Sequence, residues 1–154
     1  MRYIRCSVIS LLAAVIAGAA SGAPARAATQ VPFAINEQIN VITGSTTFTA
    51  TGPPCPSGSF ADTVLSATFK AQQLQGNVLI RTVYTCADGS GTFTMLKHVF
   101  LQFNPDFSST NTGPVQILGG TGAYANLLGH GVDNGQSDGQ TSASGQITGW
   151  VLTA

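Results

Sequence analysis

Three charged side chains stand in strand-like runs whose neighbours on the same face are apolar. Strand side chains alternate between faces. Glu37 therefore shares a face with Phe33, Ile35, Ile39 and Val41, and Lys97 with Phe93, Met95, Val99, Leu101 and Phe103. Arg81 falls in step with Leu79 and Val83. A charge on an apolar face is costly unless it is paired or hydrated. The pattern predicts that Glu37, Arg81 and Lys97 converge as a small polar site in an apolar cavity, with Tyr84 as a further acid–base group. Two cations against one carboxylate would suit an amphipathic ligand carrying a carboxylate or phenolate head. The competing placement is a bulge or register slip that turns some of them outward, or an external apolar face covered by oligomerisation.

Other motifs carry less chemistry. Gly120, Gly122 and Ala125 match the spacing G-x-G-x-x-A after an apolar strand, yet a dinucleotide site needs a full helix and a parallel strand next. Only a helical turn fits before Gly129. Gly135, Ser137 and Gly139 match G-x-S-x-G, but Ser137 lies in a polar loop without the following helix of a nucleophile elbow. Asp133 to Asp138 lacks the ligand count and closing glutamate of a calcium loop, so turn chemistry accounts for these residues. His98 and His130 are too few for a zinc site. No cofactor and no metal is expected.

The elements that must position these residues are short strands. The chain is rich in Thr, Ser, Gly and Val, with breaks at Gly, Pro, Asn and Asp, a composition that favours strands and turns. Strands are predicted at Phe33–Ile42, Thr46–Thr51, Ser59–Ala71, Asn77–Cys86, Gly91–Phe103, Gly113–Leu118, Leu128–Gly135 and Ala143–Leu152. Asp88-Gly89 marks the clearest hairpin, and Pro105 ends the strand before it. The fold class is all-β, an antiparallel barrel of about eight strands with one short helical turn near residues 122–127. The polar stretch Gly135–Ser142 reads as a mobile loop.

Arg2 and Arg5 precede an apolar run from Val8 to Ala20, and Ala25, Arg26 and Ala27 supply an A-x-A site. This is the pattern of a secretory signal peptide, too short for a comfortable membrane span. The expected organisation is a cleaved signal over 1–27 and a single barrel domain over 28–154, secreted and extracellular, with no membrane span. Cleavage leaves three basic residues (Lys70, Arg81, Lys97) and six acids (Glu37, Asp62, Asp88, Asp106, Asp133, Asp138), a net charge of −3. No basic stripe exists for nucleic acid. Cleavage also reduces three cysteines to two, Cys55 and Cys86. In an exported protein such a pair is read first as a disulfide; the alternative, a metal or redox pair, lacks C-x-x-C spacing and nearby histidines.

The run from Ile117 through Leu118, Gly119, Gly120, Thr121, Gly122, Ala123 and Tyr124 to Ala125, followed by Gly129-His130-Gly131, resembles the Gly-Gly-Thr-Gly-aromatic turn of the allene oxide cyclase barrel and dirigent-like superfamily. Cys86 to Phe93 adds to the likeness, which is greatest to uncharacterised secreted bacterial members and is sharp over about 50 residues. The resemblance implies an eight-stranded antiparallel barrel with a ligand-sized interior, and a homo-oligomer that is often trimeric in the plant members. Plant allene oxide cyclases cyclise an unsaturated fatty-acid epoxide, and dirigent proteins steer the coupling or cyclisation of phenolic intermediates. The motif itself supplies no acid–base chemistry; its glycines serve a tight turn and close packing, and Tyr124 reads as a core plug. Three functions stay open: a barrel that binds a small amphipathic or hydrophobic molecule, a cyclase or isomerase of the dirigent type, and a non-catalytic interaction module of the cell envelope.

Overall fold

The computed structural model describes residues 29–153; the expected signal peptide lies outside the described residues. Eight strands follow one another around a ring: β1 Thr29–Asn40, β2 Ser45–Thr51, β3 Ser57–Lys70, β4 Gln75–Cys86, β5 Gly91–Phe103, β6 Ser109–Gly122, β7 Leu128–Ser137 and β8 Ser142–Thr153. Each pairs antiparallel with the next, and β8 returns to β1 to close the barrel. Closure satisfies most backbone donors and acceptors and removes most of the free edge of an open sheet.

The strands run longer than the apolar pattern indicates. β1 begins at Thr29, where its ladder with β8 starts, and β6 spans Ser109–Gly122, laddered to β5 at both ends and to β7 from Ser109 to Leu118. The Gly-Gly-Thr-Gly run is accordingly the end of β6. The expected helical turn near 122–127 is a series of tight turns, with Tyr124 N–H bonded to Thr121 O and Leu127 N–H to Tyr124 O. The single turn of 3₁₀ helix among the described residues lies elsewhere, at Ala71–Gln73.

Gly120 shows why that motif holds glycine. A Cβ there would stand 1.9 Å from the Thr92 carbonyl oxygen, beside the irregularity between Phe93 and Met95 in the β5–β6 ladder.

The lumen is packed at one end and open at the other. Ile35, Phe48, Phe60, Tyr84, Phe93, Met95, Ile117, Ile147 and Val151 fill the closed end with essentially no exposure. Tyr84 stacks on Phe93 with ring centroids 4.5 Å apart, and Phe48 meets both rings edge-on, arrangements worth about 0.5–1.5 kcal/mol each beyond burial. Tyr124 plugs the same end, its ring edge-on to Phe93. Cys55, in the β2–β3 loop, is disulfide-bonded to Cys86 at the end of β4.

One seam of the wall is short. β2 and β3 share only the pairs Phe48↔Gly58 and Thr49↔Ser57, and the Thr46 hydroxyl donates to the Phe60 carbonyl. β2 is seven residues long and β3 fourteen, so the far half of β3 has no β2 residue to pair with.

Candidate functional site

Midway along the lumen the packing changes from aromatic to charged. Lys97 Nζ, on β5, lies 2.5 Å from Glu37 Oε1 on β1, and both side chains are nearly inaccessible to solvent. The Tyr84 hydroxyl donates to the same oxygen. The ammonium also sits 5.6 Å from the Tyr84 ring centroid and 5.8 Å from that of Phe60, within the range of a cation–π contact. Burial, and next the neighbouring Glu37 carboxylate, raise the Tyr84 phenol well above its ordinary range. Tyr84 is thus held neutral, as a donor to Glu37.

Two further carboxylates join this layer. Asp133, on β7, is 4 % exposed. Its Oδ2 accepts a bond of 3.3 Å from Asn111 Nδ2, while Oδ1 is buried without any hydrogen-bond partner. Desolvation pushes its pKa up to about 6; Lys97 opposes that shift, and Glu37 and Asp62 add to it. Asp62, on β3, accepts from the Thr82 hydroxyl at 2.6 Å. Above these groups a cavity of about 520 Å³ opens to solvent, its apolar wall including Ile39, Val64, Phe69, Val78, Val99 and Leu101.

The structure brings Glu37, Lys97 and Tyr84 into mutual contact. Arg81 does not join them. It is exposed, because the inward residues of β4 are Val78, Thr82, Tyr84 and Cys86 and their alternation sends Arg81 outward. Arg81 and Tyr84 are an odd number of residues apart, so a regular strand cannot turn both inward. The expected excess of positive charge is reversed: one ammonium faces three carboxylates, Glu37, Asp62 and Asp133.

Asp133 was hidden in the sequence among glycines. Gly129, Gly131 and Gly135 share its face of β7, so no alternation of large apolar residues marks that face as inward. The signal that could have found it is the alternation of glycine itself, in phase with one carboxylate.

The remaining candidates are structural. Ser137 Oγ donates to the Ser142 carbonyl and accepts from Gly139 N–H. Asp138 accepts from the backbone N–H groups of Gln140, Thr141 and Ser142, which ties down the stretch read as mobile. His98 and His130 face outward, beside Phe100 and Trp150 respectively. No cluster of metal-binding side chains occurs among the described residues, and none of their helices is long and apolar enough to cross a membrane. A wider groove of about 750 Å³, lined by residues of β3 to β6, includes Thr68, Asn77, Phe100 and Thr112. It lacks the buried charges of the lumen.

Comparison with family models, curated proteins and solved structures found no match to this chain.

Proposed function

We propose that the chain is a secreted barrel that holds a small amphipathic molecule in its lumen, apolar body against the open end and polar head on the charged layer. The observation that carries this reading is the division of one lumen into a dry aromatic plug and an open apolar cavity floored by buried charges. A barrel serving only as a structural module gains nothing from burying an ion pair and an unpaired carboxylate, since apolar residues of similar volume are generally as stable or more so. Cavities of this size with few convergent polar groups are the usual form of small-molecule sites. The Gly-Gly-Thr-Gly likeness to the allene oxide cyclase and dirigent-like barrels supports the same assignment, together with the closed eight-stranded ring.

A second reading is favoured by Asp133. A carboxyl group with its pKa raised to about 6, in a cavity with an ammonium and a neutral phenol, is equipped for proton transfer. It would let the barrel act as a cyclase or isomerase that folds a reactive substrate against its walls.

Native mass spectrometry of the protein purified from its own culture medium tests the binding reading. It should show the chain with a retained small molecule, and it reports the oligomer in the same spectrum. A ligand-free spectrum, together with no binding of N-phenyl-1-naphthylamine in a fluorescence titration, would overturn it.

A further inference from the structure

The charged layer holds a carboxylate oxygen without a partner. Asp133 lines the cavity, and its Oδ1 is buried without a donor. Leaving a buried carboxylate oxygen unpaired is costly. Glu37 is arranged alongside it. Its Oε1 takes both the Lys97 and Tyr84 donors, while Oε2 faces Gly145. A Cβ on Gly145 would lie 3.1 Å from Glu37 Oε2 and 3.4 Å from Asp133 Oδ1. The two carboxylate oxygens thus converge on Gly145, where no side chain stands between them, at the floor of the cavity. No protein donor is bonded to either oxygen. Lys97, the one cation of the layer among the described residues, is engaged by Glu37.

An anionic head would meet two carboxylates there, a third, Asp62, on the same cavity wall, and one neutralised ammonium. A charged donor would satisfy Oδ1, offset the surplus of negative charge and form charge-assisted bonds in a site of low polarity. We infer that the lumen takes an apolar molecule bearing an ammonium head, seated over Gly145 between Asp133 and Glu37. This rests on the binding reading above and narrows it to amphipathic amines.

The test is displacement of N-phenyl-1-naphthylamine from the secreted protein at neutral pH by three probes sharing one tail: decylammonium, decanol and decanoate. Decylammonium should bind about tenfold or more tightly than decanol, with decanoate weakest. If the reporter does not bind, the lumen reading itself fails. If it binds and decanoate or decanol matches decylammonium, only the ammonium inference fails.

Asp133→Asn should bring the ammonium-to-decanol ratio close to unity. Gly145→Ala should do the same by setting a methyl group against both oxygens without altering charge, and it carries the test should Asp133→Asn not fold. Arg81→Gln, on the outer wall, should leave the ratio unchanged. A preference that survives both lumen variants would place the head group elsewhere and overturn the inference.

Discussion

Lys97 and Glu37 form an ion pair across the width of the barrel, Nζ to Oε1 2.5 Å, from strands four places apart in a ring of eight. No neighbouring strand pair could make this contact, so it ties opposite walls together. Lys97→Met would leave the Glu37 carboxylate buried with the Tyr84 hydroxyl as its sole remaining donor. Breaking such a pair from one side costs about 3–5 kcal/mol. The variant should lose stability on that scale in urea denaturation, and adding Glu37→Gln should restore a large part of the loss.

Stability should fall as pH rises through the range set by Asp133. Its folded pKa is about 6 against an ordinary aspartate value of 3.8, so between those values the native state holds more protons than the unfolded chain. Folding is then favoured at the acid end and weakened as the carboxyl ionises, by on the order of 3 kcal/mol once complete. The groups that act on it are Lys97 on β5, Glu37 on β1 and Asp62 on β3, so the curve reports the whole layer. Denaturation of the Asp133→Asn variant from about pH 4 to 7 should show a flatter profile, and a parallel profile would dismiss Asp133 as the source.

The Cys55–Cys86 bridge closes a loop of 31 residues at the packed end of the lumen. Its removal should cost about 3–4 kcal/mol on the chain-entropy model. The Cys55→Ser, Cys86→Ser double variant, compared with the oxidised protein in guanidinium, measures this. The loss should be felt first where the β2–β3 loop joins the wall.

Gly120→Ala places a methyl group against the Thr92 carbonyl, which belongs to the ladder and cannot rotate away. Overpacking of this kind costs about 1–3 kcal/mol. Thermal melting should register the loss, with the largest change in the β5 and β6 amide signals by NMR. An unchanged melt would mean that the Gly-Gly-Thr-Gly run is not needed for close strand approach.

The expected barrel was legible because its strands are bounded by turn residues and several alternate cleanly. Glu37 and Lys97 were marked by the sequence, each set among large apolar residues of the same parity, which left open whether that face was the lumen. Arg81 misled for a physical reason. Leu79 and Val83 are half-buried on the outer wall, so an apolar face existed there without being the lumen. Asp133 was unreadable by the same rule, since its in-phase neighbours are glycines. The disulfide was readable from cysteine count and context. What no strand pattern reveals is the cross-lumen geometry: which carboxylate oxygen keeps a partner and which does not depends on the diameter of the ring and the stagger of its strands.

The short β2–β3 seam has a consequence for the protein's life in solution. Ten residues of β3, Ala61–Lys70, are exposed throughout, and past Phe60 their outward amides and carbonyls must be solvated by water. Such an edge is a template for a passing chain. Here the risk is blunted by Asp62 near one end, Lys70 at the other and the register shift between Val64 and Ser66, devices that interrupt a flat run of donors and acceptors. Hydrogen exchange should accordingly be fastest along this strand and slowest beside the aromatic plug. The barrel would unzip there first.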